Sequence, residues 1–222
     1  QKSESDIFSG ISMSVGGIFG FRMDADDVPE QTTIRQGDFF GGIENVTQTI
    51  LLEKESYSLA KFQIGIDLLD WFQVGVSGFT GSFDADGRLV TNFSTTVEQS
   101  QSVAVDLEGS VTGFGLDFCF TEDLWTRGAF RVRSGGTISI QWLRQEFERF
   151  DVPEGYNKAL DFTSDLEGKT ESLFSLGVGG RVTGIWELSP SVGFGLYFQP
   201  QWFFVDLEGF SLESGLWFEI GF

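Results

Sequence analysis

Apolar side chains recur at every second position in eight separate stretches of this chain, a period that demands strands and leaves no room for helices as the main element. In the first stretch, Ile7 to Met23, one face carries Ile11, Met13, Val15, Phe19 and Phe21, and the other Ser12, Ser14, Gly16, Gly20 and Arg22. The second ends with Ala60, Phe62, Ile64 and Ile66 against Lys61, Gln63 and Gly65; the third leaves with Phe72, Val74 and Val76. A fourth arrives through Val103 and Val105, changes phase near Gly109 and continues with Phe114, Leu116, Phe118 and Phe120, which predicts a bulge or a rim. The fifth sets Phe130, Val132, Ile138, Ile140 and Trp142 against Arg127, Arg131, Arg133 and Gln141, and is long enough to project past an apolar layer that about 9 to 11 residues cross. Phe174, Leu176, Val178 and Val182 mark the sixth, Val192 to Phe198 the seventh, and the final residues the eighth.

No run approaches the roughly 18 apolar residues of a membrane-spanning helix. Aromatics make up 15% of the chain while mean hydropathy is -0.01, a combination natural to a barrel whose two wall faces differ. Two readings stay open at this point, a soluble β domain and a membrane barrel. Tight turns are expected at Asp67 to Asp70, Thr121 to Leu124 and Glu187 to Pro190. Polar loops are expected at Asp24 to Glu44, Asp84 to Gly87 and Glu148 to Gly168. The length suits one domain, residues 1–222, with 1–6 as an N-terminal segment that reads as the mature end left by a cleaved export signal.

The last ten residues run Glu213 to Phe222, with Leu216, Phe218, Ile220 and Phe222 on one face and Gly215, Trp217, Glu219 and Gly221 on the other. Glu213, Gly215, Phe218, Ile220 and Phe222 resemble the C-terminal assembly signal of bacterial outer-membrane β-barrels. The chain thus resembles the small eight-stranded class that includes OmpA-like, OmpX-like and OmpW-like barrels. The resemblance implies a transmembrane antiparallel up-and-down barrel of about eight strands, all-β, with short periplasmic turns, long acidic outer loops and both termini periplasmic. It also implies contact with the bilayer and lipopolysaccharide, handling by the barrel-assembly machinery, and a possible neighbouring envelope protein or homo-oligomer. Trp71, Trp125 and Trp186 stand beside the three short turns, where an inner interfacial girdle would lie.

A net charge of -19 disfavours nucleic-acid binding, and the single cysteine, Cys119, excludes an intrachain disulfide framework. The chain contains no histidine. Outer-membrane phospholipases, lipid A palmitoyltransferases and deacylases, and omptin proteases all use one, so none of their mechanisms carries over, and the expectation is a chain that is not an enzyme. Nothing in the spacing of its carboxylates singles out a glycosidase pair. Asp-Leu-Glu-Gly recurs at Asp106, Asp165 and Asp206, and Asp-Ala-Asp at Asp24 and Asp84. Asp24, Asp26, Asp84 and Asp86 begin a calcium-loop spacing without completing it, so no cofactor is expected beyond a divalent cation at the acidic rim. Arg22, Lys61, Asp117, Arg127, Arg131, Arg133, Arg181 and Glu219 are expected to point into the lumen. There they form either an ion-paired plug or a basic constriction that passes small anions.

Overall fold

Period-two alternation produces strands throughout the computed structural model, which describes residues 9–22, 31–35, 45–94, 99–151, 168–206 and 208–221. In chain order these are β1 (Gly10–Arg22), β2 (Gln31–Arg35), β3 (Asn45–Leu69), β4 (Phe72–Ser94), β5 (Gln99–Arg127), β6 (Phe130–Asp151), β7 (Thr170–Ser189), β8 (Val192–Val205) and β9 (Gly209–Gly221). Every pairing is antiparallel, and all but the closing one join strands adjacent in sequence or separated only by β2. The sheet closes because β1 pairs with β9 from Gly10↔Gly221 to Arg22↔Gly209, and with β3 from Gly10↔Asp67 to Arg22↔Glu55. Eight strands therefore form an up-and-down barrel without open edges along its shared height.

β2 lies outside that ring, paired to the far part of β3 from Gln31↔Ile50 to Arg35↔Val46. It falls in the stretch expected to be a loop, and corrects it: β3 extends past the ring and offers a free edge that the β-branched Thr32, Thr33 and Ile34 can pair with. Three two-residue turns, Asp70–Trp71, Gly128–Ala129 and Pro190–Ser191, lie at one end, together with the start of β1 and the finish of β9. The middle turn is displaced from Thr121–Leu124 because β5 bulges between Asp123 and Trp125 and runs on to Arg127, where Gly128 takes a positive φ of 60°.

The strands differ in height. β8 and β9 hold 14 and 13 residues, whereas β3 to β6 hold 25, 23, 29 and 22, so one side of the barrel continues as a wall beyond the ring. Side-chain polarity reverses between the two parts. Near the turns, β5 exposes Phe114 and Phe120 and buries Asp117 and Cys119; farther along it exposes Asp106 and Glu108 and buries Val105, Leu107 and Val111. The phase change expected in β5 is thus a change in what each face carries, since odd positions stay inward from Val105 to Thr121. Asp84 and Asp86, expected in a loop, lie within β4 with Ala85 buried between them. An extra residue, Glu148, bulges β6 where Glu108↔Arg149 gives way to Gly109↔Phe147, and this lets both Phe147 and Phe150 face inward. The rest of the expected loop after Asp151, residues 152–167, falls outside the described residues.

Candidate functional site

The lumen of the ring is filled by polar side chains joined into one network. Lys61, projecting from β3, is fully buried between Asp117 of β5 and Glu213 of β9, with Nζ 3.0 Å from Oδ2 of the first and Oε2 of the second. Asp117 also accepts hydrogen bonds from Ser77 at 3.0 Å and Ser139 at 2.5 Å. Glu213 accepts one from the Tyr197 hydroxyl at 2.7 Å. Both carboxylates are thus hydrogen-bonded as well as paired, the condition under which buried ions are tolerated.

One step toward the turns, Arg181 of β7 lies over the rings of Tyr197 and Trp217, 5.4 and 5.2 Å from their centroids. Its guanidinium donates to three amide carbonyls, those of Gln199 at 2.5 Å and of Gln73 and Gln63 at 3.2 Å. Gln73 in turn donates to Ser12 at 2.7 Å and Asp67 at 2.6 Å. Inward glycines leave the space these long side chains need: a Cβ on Gly65 would lie 2.6 Å from the Ser12 hydroxyl and 2.9 Å from Gln73 Cδ. The same holds at Gly193, where a Cβ would meet Ile185 and Glu219 at 2.8 and 2.9 Å. At these two positions the glycines make room for neighbouring side chains.

Above the polar layer the lumen turns mostly apolar, with Leu59, Phe79, Val111, Leu143, Phe83 and Phe147 in one buried cluster, and Gln145 donating within it to the buried Glu55 carboxylate and the Tyr57 hydroxyl. Phe83 and Phe147 meet edge to face at 5.3 Å. Below it, at the turn end, opens a cup of about 330 Å³ lined by Asp67, Asp70, Asp123, Arg131, Arg133 and Glu219. Arg131 is paired with Glu219, and lies 3.7 Å from both Asp123 and Glu187; Arg133 lies 3.4 Å from Asp123 and donates to the Asp70 carbonyl. Between the cup and Arg181 the free space shrinks to about 10 Å³.

Of the residues expected in the lumen, Lys61, Asp117 and Arg181 come together at its centre, and Arg131, Arg133 and Glu219 at its mouth. Arg127 does not join them. The bulge at Leu124 reverses the phase of β5, so Arg127 pairs with Phe130 and is exposed. The Arg22 side chain falls outside the described residues. Glu213 belongs to the network although it was singled out only for the terminal motif; it shares the face of Glu219 six residues on, so its phase already placed it inward. The luminal glutamines had the same signal, inward phase, but carry no charge to draw attention.

Trp71, Trp125 and Trp186 are 49%, 48% and 61% exposed on the outer surface near the turns. They lie among other rings, Trp71 beside Phe72 and Phe120, and Phe130 between Trp125 and Trp186. A second level of outward rings, missed in the sequence, runs through Phe114, Trp142 and Phe174, with Trp202 and Phe210 farther round. Within the terminal motif, Gly215, Phe218 and Ile220 lie on β9 against β1, and Phe222 is outside the described residues. Asp84 and Asp86 project outward from β4 as exposed neighbours two apart, while Asp24 and Asp26 are outside the described residues. Among the described residues no three acidic, Cys or His side chains converge as a metal ion would require.

No family model and no curated protein matches this chain. Among solved structures it is similar to the outer membrane protein OprG from Pseudomonas aeruginosa, at 12% identity and a TM-score of 0.35, over 96% of this chain and 94% of that one. It is also similar to the CymD monoaromatic hydrocarbon channel, at 8% identity and a TM-score of 0.17, over 96% and 88% of the two chains. Neither likeness is close enough to carry a function across.

Proposed function

We propose that the chain is a bacterial outer-membrane barrel that does not conduct, is not an enzyme, and acts as a structural or surface-interacting protein through its acidic upper wall. The observation that carries this is the outward band of apolar side chains around the ring. On β8 it runs from Phe194 through Leu196, Phe198 and Trp202 to Phe204, all exposed. Ten residue steps at about 3.4 Å, tilted by some 40°, give roughly 26 Å, which matches the apolar band of about 25 Å on outer-membrane barrels. Aromatic rings bound it on both sides, as at a membrane interface. In water such a continuous surface would drive aggregation.

The turn end and both chain ends would face the periplasm, and the wall of β3 to β6 would stand outside, near lipopolysaccharide. The sealed lumen favours this reading over an anion channel: its basic groups are matched with carboxylates or amide carbonyls, and an apolar layer lies above them. The test is reconstitution into planar bilayers, with heat-modifiable electrophoretic mobility as the check on folding. Folded protein is expected to give no conductance steps. Reproducible anion-selective steps would overturn the sealed-barrel reading, and a monodisperse state without detergent would overturn the membrane placement.

A further inference from the structure

Where the polar and apolar layers of the lumen meet, a small cavity of about 20 Å³ lies against the closing seam of the barrel, bordered by Ile18, Tyr57, Leu59, Leu143 and Phe203. It is also bordered by Gly20 of β1, whose cross-strand partner is Ser211, and by Gly209 of β9, which pairs with Arg22; neither glycine presents a side chain to the lumen. Two polar side chains border the same space from different strands: Gln141 of β6, 4% exposed, and Ser211 of β9, 3% exposed. Gln141 Nε2 and Ser211 Oγ are both buried and form no hydrogen bond with any protein group. Gln63 Nε2, Arg131 Nε and Arg133 Nε are also buried without a hydrogen-bond partner, but those side chains are tied through their other atoms, whereas Gln141 and Ser211 bring two unpaired groups to one cavity, where a single ligand would satisfy both.

The size and chemistry of the space define that ligand. A cavity needs about 10 to 15 Å³ on this measure to hold one water molecule, and a larger solute would not fit within these walls. Water also donates and accepts, so it can complement the amide and the hydroxyl at once. We propose that this cavity is a binding site for a single long-lived water that joins Gln141 to Ser211 and so fastens the closing strand to β6 across the lumen. β9 is laddered to β1 and β8 at this height, and two residues on, Glu213 ties it across the lumen to Lys61 of β3. The water adds a second cross-lumen tie, between the polar plug and the apolar core, at the seam where the first and last strands pair.

The test uses the full chain refolded in detergent micelles. Nuclear Overhauser cross-peaks from water to the methyl groups of Ile18 and Leu143 are expected in the wild type and lost in the Gln141→Leu/Ser211→Ala double variant. Unfolding rates provide a second arm that does not need spectral assignment. If one water serves both groups, each single variant unfolds about fivefold faster, the worth of one hydrogen bond, and the double variant no faster than either. A double variant that accelerates by the product of the singles would overturn the bridge. Absence of any water cross-peak at those methyl groups in the folded wild type would show a dry cavity and overturn the site itself, whether or not the variants fold.

Discussion

Replacing Lys61 by Met removes the cation at the centre of the lumen. The ammonium holds two carboxylates at 3.0 Å, and all three side chains are essentially inaccessible to water. Lys61→Met keeps the length and bulk of the stem but leaves Asp117 and Glu213 without a cation in contact, Arg181 acting on them only from a distance. Removing one partner of a buried pair typically costs about 3 to 5 kcal/mol, because the remaining charge is stranded. Two stranded carboxylates put this variant at the upper end, partly offset by the hydrogen bonds from Ser77, Ser139 and Tyr197. The assay is urea unfolding in detergent, followed by electrophoretic mobility. A triple variant, Lys61→Met/Asp117→Asn/Glu213→Gln, should recover most of the loss, since amides fill the same space without charge. Lys61→Met unfolding within about 1 kcal/mol of wild type would refute the claim that the three form a dry ion cluster. The variant should also remain silent in bilayers, because the apolar layer above it is untouched.

Three further outcomes follow from the same geometry. Phe83→Ala removes a ring that is 1% exposed and stacked edge-on to Phe147, and should cost about 3 to 5 kcal/mol in the same unfolding assay. Leu196→Arg, in the middle of the outward band, should cost about 2 to 4 kcal/mol in lipid, whereas Ser110→Arg on the upper wall should change stability by no more than about 0.5; equal effects would contradict the assigned band. Val205 holds a φ of 79°, unfavourable for a β-branched residue, so Val205→Gly should stabilise by about 1 kcal/mol in thermal or urea unfolding despite losing an exposed side chain.

The ring was legible in the sequence because one rule, inward at every second residue, holds without interruption along β1, β4, β7, β8 and β9 in their lower parts. It failed where a single extra residue reset the phase. Leu124 sent Arg127 to the outside and moved a turn, and Glu148 let two phenylalanines three apart share one face. Periodicity averages over such insertions and cannot place them. Asp84-Ala85-Asp86-Gly87 misled for another reason: its composition is that of a turn, yet on the upper wall aspartates face water and Ala85 and Gly87 face the core, which is ordinary strand patterning for a soluble sheet. The ion cluster was half visible, through the charges of Lys61, Asp117 and Arg181. The partners that make it tight, Gln63, Gln73, Gln199 and Tyr197, share the inward phase but are uncharged, and which of them meet follows only once the strands are set in register.

The reversal of polarity along β3 to β6 does more than divide the molecule into two kinds of core. In the membrane placement proposed above, it would act as a depth stop. If the barrel slid toward the periplasm by two residues per strand, Thr112, Arg144 and other water-facing groups would enter hydrocarbon; if it slid outward, Phe114 and Trp142 would leave it. Neither displacement has a compensating gain, so in that placement the protein's height in the membrane would be written into its side chains to within about one pair of residues, before any loop, lipid or partner is considered.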